Sequence, residues 1–335
     1  MRLQREFLWR DGERTIIFRA DAHDRAGATL ADYGWEGWEL LTTPRALAGA
    51  PLDFASGASA VHEVQPGRVD ELSAGLADHV DATDLVALGG GRVIDVAKAI
   101  AAVGGGRVAA IPTTLSGAEM TGFHRLPQGR SAPRLARPAL VISAPVAMTS
   151  LPEPALRASA MNALAHGAEA LYAPLANPVA TIAALRGARF LAGALDQPAA
   201  ERDRPALALG SLLCAYAVDS TRYALHHVVS QTLVRGLGTP HAETNAAILP
   251  RAMEVMRARA PDAIAALASA LGTRPEAIGE RIEELGGGRR QLGELGADRA
   301  SLEPALDAML ERGELQATPD PPDRGELRRL VEAAW

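Results

Sequence analysis

The sequence predicts two parts of different architecture: an α/β domain with a parallel sheet over residues 1–150, and an all-α domain over 151–335. The first half alternates short β-branched runs with amphipathic segments, which is typical of a parallel sheet covered by helices. Beyond LPEP at 151–154 the apolar spacing follows the helical period and no convincing strand remains. At 335 residues the chain is also longer than one average domain.

Short runs in the first half indicate strands because they are rich in β-branched and apolar residues. They are RTIIFR, WELLTT, SAVHEV, DLVALG, VAAIPT and ALVISA, at residues 14–19, 38–43, 59–64, 84–89, 108–113 and 139–144. Helical patterns such as VDELSAGLADHV and IDVAKAIAAV lie between most of them. In the second half, segments such as NALAHGAEALYA, ALHHVVSQTLV and AETNAAILPRAMEVM predict helices.

Composition excludes several classes of protein. The net charge is −6 and the basic residues are scattered, so we expect no nucleic-acid partner. Charged residues interrupt the apolar stretches before they reach the roughly 18–20 residues of a membrane span, so we expect no membrane association. The N-terminal segment has no signal-peptide core, which indicates a cytoplasmic protein. The lone Cys214 excludes an intramolecular disulfide, and its apolar surroundings indicate a buried small side chain.

The run DLVALGGGRVIDVAKAIA indicates an anion-binding turn. Gly89, Gly90 and Gly91 follow a predicted strand and precede a helix that we expect to begin near Val93. Glycines let the backbone approach a diphosphate closely, and the free N–H groups of a helix N-terminus favour an anion. The run is neither G-x-G-x-x-G nor a Walker A loop, so a plain strand-to-helix turn stays the alternative.

The run AAIPTTLSGAEMTG places hydroxyl groups at the end of the next predicted strand, on Thr113, Thr114 and Ser116. Such hydroxyls can hydrogen-bond a nicotinamide carboxamide or a ribose, and a Ser/Thr turn that caps a helix is the alternative. The strand WELLTT carries Thr42 near its end and no acid there to hold the adenosine ribose or repel a 2′-phosphate. We therefore expect NADH or NADPH as cofactor.

Polar residues of the helical half form a second candidate site. Asn162 with His166, and His227 with Gln231, are each spaced i, i+4 and share a helix face, and His241 lies at a predicted helix start. If they converge, they would ligate a divalent metal, or hold a polar substrate and relay a proton. For any one histidine alone, a buried structural role stays the alternative. We expect the cleft between the two domains to join this site to the cofactor.

Both candidate regions of the first domain resemble signatures of iron-containing alcohol dehydrogenases. GGGRVIDVAKAIA, which holds Asp95 and the only lysine, Lys98, resembles GGGSxxDxAKxIA, and IPTTLSGAEMT resembles PTTxxxGSExT. The resemblance implies a dehydroquinate synthase-like fold with a Rossmann-like dinucleotide-binding domain, and it adds Asp95 to the cofactor site. In that superfamily an Asp and three His hold the metal. Their positions fall here on Asn162, His166, His227 and His241.

Asn162 in place of the metal-binding Asp points to one group within this superfamily. HGAEALYAPLANPV at 166–179, the doubled His226 and His227, and PHAET at 240–244 are similar to maleylacetate reductases, and the resemblance spans essentially the whole chain. An amide in place of a carboxylate removes a negative charge and weakens the binding of a hard metal. Iron or zinc held by the three histidines is therefore the minority interpretation.

The resemblance implies hydride transfer from the nicotinamide to a C=C bond conjugated to a carbonyl group. His166, His227 and His241 would polarise the enone oxygen and steer protonation, and Asn162 would position that oxygen. Either His241 or His227 would be the general acid. A small-molecule substrate and a homodimer are also expected.

Departures from the group leave the substrate open. Val228 stands where those reductases tend to carry Lys, and Arg125, Arg222 and Arg251 could supply replacement charge for an acidic substrate. Two rival hypotheses keep the fold. The chain would be a metal-dependent alcohol or polyol dehydrogenase, or a non-redox biosynthetic enzyme or binding protein.

Overall fold

The computed structural model describes residues 6–335, and the chain divides into two compact units, Met1–Leu151 and Pro152–Trp335. The first five residues of the N-terminal segment, in which the sequence shows no signal-peptide core, lie outside the described residues. The strands of the first unit are β1 (Phe7–Asp11), β2 (Arg14–Phe18), β3 (Glu39–Thr42), β4 (Ala60–Glu63), β5 (Asp84–Gly89), β6 (Arg107–Pro112) and β7 (Leu140–Ser143).

These strands form one sheet in the order β1-β2-β7-β6-β5-β3-β4. All neighbours pair in parallel except β1 and β2, which form an antiparallel hairpin at one edge. The predicted α/β domain with a parallel sheet is confirmed, and each predicted strand is present within one or two residues of its expected bounds. The edge strand β1 is not among the predicted strands.

Helices cover both faces of this sheet. They are α1 (Ala26–Asp32), α2 (Pro44–Ala48), α3 (Val69–Ala77), α4 (Gly91–Gly104) and α5 (Pro145–Met148). Along β5, Val86 and Leu88 pack with the core on the α1 side, whereas Leu85 and Ala87 pack with the core against α4. Burial on both faces explains why the strands are continuous apolar runs rather than alternating ones.

The second unit is helical throughout, as predicted, with no strand in its residues 152–335. Its helices are α6 (Glu153–Ala170), α7 (Pro178–Leu195), α8 (Arg204–Thr221), α9 (Leu225–Leu237), α10 (His241–Arg259), α11 (Pro261–Leu271), α12 (Ile278–Leu285), α13 (Leu302–Leu310) and α14 (Arg324–Ala333). The sequence analysis did not identify α12 and α13.

Small residues allow α6, α7 and α8 to approach closely. A Cβ added at Gly187 would lie 2.6 Å from Cys214 Sγ and 2.8 Å from the carbonyl oxygen of Gly210. Cys214 is buried there, as expected, and burial raises the pKa of its thiol to about 12. The thiol is therefore a packing group and stays protonated at neutral pH.

Helix α7 meets the length and hydropathy criteria for a membrane span, with a mean hydropathy of 1.2 over 18 residues. Half of it is buried inside the protein, where it packs against α6, α8 and α11, and it carries Arg186 and Arg189. These are properties of a core helix in a water-soluble fold, so α7 is weak evidence for a membrane span.

Candidate active site

The glycine turn, Gly89 to Gly91, lies at the carboxyl end of β5 and continues into α4. Gly89 pairs with Pro112, so the loop that follows β6 begins beside the turn. From β3 the chain continues to β4 on one side of the sheet, and from β5 it continues to β6 on the other side. The carboxyl ends of the neighbouring strands β3 and β5 therefore form a topological switch point. Nucleotides bind at such points in open α/β sheets.

The glycine turn is in close contact with the loop that follows β6. We call this loop, which carries Thr113, Thr114 and Ser116, the hydroxyl loop. A Cβ added at Gly90 would lie 2.9 Å from Thr114 Cγ2, and one added at Gly91 would lie 2.9 Å from Ser116 Cβ. Larger side chains at these positions would displace the second loop. Gly90 has φ −80°, a conformation open to any residue, so glycine is needed here for space and not for backbone freedom. Because Gly90 and Gly91 have no side chains, the two loops can lie against each other and form what we call the cradle.

The cradle offers hydrogen-bond donors to an anion. Helix α4 begins at Gly91, two residues earlier than expected, and its N-terminus has no side-chain cap and no acid in its first turn. Its first N–H groups and the positive end of its dipole are therefore directed at the turn. The hydroxyl of Thr114 is buried and has no hydrogen-bond partner in the described part of the chain. These features fit a dinucleotide diphosphate.

Three other residues predicted for the cofactor site serve the cradle's own structure. Thr42 is 2% exposed and its hydroxyl donates to the carbonyl of Leu88 at 2.9 Å. Thr113 is 4% exposed and accepts a hydrogen bond from Arg45. Asp95 forms an ion pair with Lys98 at 2.7 Å. Direct contact of these three with a nucleotide stays a prediction.

Lys98 fastens the hydroxyl loop to α4, a role that the sequence analysis did not assign. Its fully buried ammonium donates to the carbonyl oxygens of Ala118, Thr121 and Phe123 at 2.8–3.0 Å. Glu119 lies within this segment, is fully buried, and neither of its carboxyl oxygens has a hydrogen-bond partner among the described residues. Burial raises the pKa of Glu119 to about 7.

The predicted polar residues of the second unit come together from three helices. His166 of α6 and His227 of α9 stack with ring centroids 4.8 Å apart and planes within 6°. His226 meets His227 edge-on at 4.9 Å. His241 begins α10, and a positive charge on its ring would lower the pKa of the other three histidines. Asn162 lies one turn before His166 on α6 and is 4% exposed.

Burial keeps the clustered imidazoles uncharged. It lowers the pKa of His226 and of His227 to about 3, and that of His166 well below its ordinary value. The charges of neighbouring histidines act in the same direction. At neutral pH these rings are therefore neutral hydrogen-bonding groups, each with one N–H and one lone pair.

Two polar residues that the sequence analysis missed fix the doubled histidine. Glu169 of α6 is fully buried and its carboxylate contacts Nδ1 of His227. Asn245 of α10 accepts a 2.9 Å hydrogen bond from Nε2 of His226 and donates to the backbone carbonyl of His241. Glu169 could have been found from its position three residues after His166, where the resemblance to the superfamily helix also places a Glu.

An arginine also lies near the cluster. Arg312 donates to the hydroxyl of Tyr223 at 3.2 Å and to Oε1 of Gln231 at 3.0 Å, and it pairs with Glu314 at 3.1 Å. The Tyr223 ring lies 5.6 Å from that of His227, whose pKa Arg312 helps to lower.

Of the three arginines predicted as replacement cations, Arg125, Arg222 and Arg251, the last has carboxylate partners in its own unit, and a role for the other two stays a prediction. Arg251 is paired with Glu254 and Glu283. Arg312 is the arginine whose charge acts on His227, and no local sequence pattern marks it.

The donor set does not fit a divalent metal. The ligand lone pairs of an imidazole lie in the ring plane, and the nearly parallel planes of His166 and His227 do not meet at one ion. Asn162 contributes a neutral amide where the superfamily has a carboxylate, which weakens the binding of a hard metal. Within residues 6–335 no three His, Cys, Asp or Glu side chains are arranged to hold an ion.

Two family models match the chain. The Fe-containing alcohol dehydrogenase family, C-terminal, matches residues 157–335, and the iron-containing alcohol dehydrogenase model matches residues 45–123. The two matches cover the histidine helices and the glycine turn.

Relatives with similar sequence or structure extend over nearly the whole chain. Maleylacetate reductase of Pseudomonas aeruginosa is 32% identical over 340 residues, covering 96% of this chain and 95% of that protein. Maleylacetate reductase 1 of Rhodococcus opacus is 35% identical over 268 residues, covering 76% and 73%. The crystal structure of maleylacetate reductase from Rhizobium sp. strain MTP-10005 has a TM-score of 0.84 and 26% identity, covering 99% of both chains. A putative alcohol dehydrogenase from Ralstonia eutropha JMP134 has a TM-score of 0.83 and 30% identity, covering 98% and 97%.

Proposed function

The chain belongs to the iron-containing alcohol dehydrogenase family, and from that premise we propose that it is an NAD(P)H-dependent reductase of a conjugated enone acid, as in maleylacetate reductases. The observation that carries the proposal is the cluster of three uncharged imidazoles with an amide, Asn162, at its edge. Such a cluster supports polarisation and protonation of an enone, whereas it does not fit the metal that an alcohol dehydrogenase of this family uses.

The glycine turn supports nucleotide binding. The N–H groups at the start of α4 would hold the diphosphate, and the hydroxyls of Thr114 and Ser116 would contact the ribose or carboxamide. When bound, the reduced nicotinamide supplies a hydride. No acid stands at the end of β3 to exclude a 2′-phosphate, which supports the use of NADH or NADPH.

The substrate is an acid with a C=C bond conjugated to a ketone. Hydride adds to the alkene carbon β to the ketone, the π electrons move to the ketone oxygen, and the resulting enolate takes a proton at the α carbon. The Asn162 amide is suited to donate a hydrogen bond to the ketone oxygen, where negative charge develops. His241 or His227 supplies the proton. Arg312 would supply positive charge for a substrate carboxylate near His227, in exchange for its ion pair with Glu314.

The assembly and the location follow from the same family premise. We propose a homodimer acting on a small molecule in the cytoplasm. Sedimentation of the purified chain would report a mass of twice 35.0 kDa if this is correct.

The proposed reaction is tested by following the absorbance of NADH and of NADPH with maleylacetate, other enone diacids, quinone-derived acids and simple aldehydes. The proposal predicts oxidation of reduced nicotinamide with enone diacids, without added metal. Turnover of aldehydes alone, together with stoichiometric iron or zinc in the purified protein, would instead identify a metal-dependent alcohol or polyol dehydrogenase. A protein that binds neither nucleotide would be a non-redox enzyme or a binding protein.

A further inference from the structure

The N-terminus of α9 is capped by a residue from another helix. Its own N-cap residue, Ala224, has no side chain that can accept a hydrogen bond. The Oε1 atom of Glu169, on α6, accepts hydrogen bonds from the backbone N–H groups of Ala224 at 3.1 Å and His226 at 2.8 Å. The N–H of His227 lies at 3.4 Å from the same oxygen. A carboxylate at this position also interacts favourably with the positive end of the α9 dipole.

The second oxygen of the same carboxylate binds the imidazole of His227. Oε2 of Glu169 contacts Nδ1 of His227, and the hydroxyl of Tyr172 donates weakly to Oε1 at 3.4 Å. Burial raises the pKa of Glu169, whereas the backbone N–H groups of Ala224, His226 and His227 lower it and favour the ionised form. The ionised carboxylate can only accept hydrogen bonds, at both of its oxygens. Nδ1 of His227 therefore carries the proton, and Nε2 carries the lone pair.

The neighbouring histidine has the opposite arrangement. Nε2 of His226 donates to the side-chain oxygen of Asn245, which also accepts from Ser230. This bond links α9 to α10 and leaves the lone pair of His226 on Nδ1, which is buried without a hydrogen-bond partner among residues 6–335. Nε2 of His227 is likewise buried and has no partner among those residues. The two histidines therefore carry their lone pairs on different ring atoms, Nδ1 in His226 and Nε2 in His227.

We propose that Glu169 is a positioning residue: it caps α9 and holds His227 in the Nδ1–H tautomer, so that Nε2 acts as a hydrogen-bond acceptor toward the substrate. Stacking against His166 keeps the ring in this orientation. An acceptor at Nε2 cannot polarise the ketone oxygen or donate the α-carbon proton. Of the two candidate acids, this leaves His241. The inference rests on the proposed function for the reaction that it serves.

The replacement Glu169→Gln separates positioning from folding. The amide oxygen of Gln can still accept the backbone N–H groups of α9, but its NH₂ group would face Nδ1 of His227 and force the proton onto Nε2. We expect kcat to fall by roughly 100-fold, within the range for a misplaced acid–base group. KM and nucleotide affinity should change little, because neither backbone capping nor the glycine turn is altered.

The experiment combines kinetics with a direct measurement of the tautomer. The ¹⁵N spectrum of histidine-labelled protein, with His227 assigned by loss of its signals in His227→Asn, should show a protonated Nδ1 in the wild type and a protonated Nε2 in Glu169→Gln. Tyr172→Phe is the matched control, since it removes a donor to the same carboxylate without touching His227, and it should retain wild-type kcat and tautomer.

Wild-type kcat in Glu169→Gln, or an unprotonated Nδ1 in the wild type, would overturn the inference. The wild-type spectrum decides the matter alone if Glu169→Gln does not fold. It also needs no turnover, so a chain that reduces no enone acid would refute the proposed function while the tautomer assignment could still be confirmed or rejected.

Discussion

Replacing Gly90 by Ala tests the contact between the glycine turn and the hydroxyl loop. The backbone at Gly90 accepts any residue, but the new Cβ would lie 2.9 Å from Thr114 Cγ2. Carbon atoms pack at about 3.5–4.0 Å, so one of the loops must move by roughly 0.6 Å or more. Forcing an extra methyl group into a packed site costs about 1–3 kcal/mol. A penalty of that size that falls on the bound state lowers nucleotide affinity by about 5–150-fold.

The assay is titration calorimetry with NADH and NADPH together with urea unfolding. The double variant Gly90→Ala/Thr114→Ser lacks Cγ2 and should recover at least about 0.5 kcal/mol, a coupling expected only of residues in contact. The control Gly75→Ala adds a methyl group in α3 where nothing lies within 4 Å, and it should stabilise the protein by about 0.4–1 kcal/mol. Unchanged stability and affinity in Gly90→Ala, or no recovery with Thr114→Ser, would refute the reasoning.

Two further predictions concern buried charges of the first unit. Lys98→Met removes the donor to three backbone carbonyls and leaves the carboxylate of Asp95 without its ion pair, so urea unfolding should show a loss of about 3–5 kcal/mol; a loss below about 1 kcal/mol would contradict the role of Lys98 as a clamp. Burial raises the folded-state pKa of Glu119 from 4.5 to about 7, so its stabilising contribution is complete below pH 4.5 and is lost as the pH rises through about 7. Glu119→Gln cannot ionise, and its unfolding free energy should therefore rise relative to wild type by up to about 3 kcal/mol between those pH values. A difference that is independent of pH would show that Glu119 ionises normally.

The sequence predicts the fold well where burial is uniform. DLVALG and VAAIPT are recognisable as strands because both faces of the sheet are covered, so almost every side chain in them is apolar. β1 was missed because FLWRD is an edge strand that carries charge and pairs on one side only. α12 and α13 were missed because they are short: at eight and nine residues each spans fewer than three helical turns, so little of the period is repeated.

Only part of the candidate site could be predicted from the sequence. The spacing of Asn162 and His166 predicted a shared helix face, and the resemblance to the superfamily motifs predicted that the later histidines lie near them. The role of Glu169 could not be predicted from spacing. Its carboxyl group accepts hydrogen bonds from the N-terminus of α9, a contact between two helices that only the tertiary structure shows. Arg312 was missed for a related reason: it approaches His227 through a loop far along the chain, and nothing local distinguishes it from the other arginines.

The destination of the hydride tests the central claim most directly. The purified chain would be given an enone diacid and reduced nicotinamide that carries deuterium at its transferable position, and the product would be analysed by mass spectrometry and proton NMR. We expect a saturated oxo diacid with one deuterium on the former alkene carbon β to the ketone. Deuterium on a carbinol carbon, from reduction of the ketone to an alcohol, would contradict it, as would a product without deuterium.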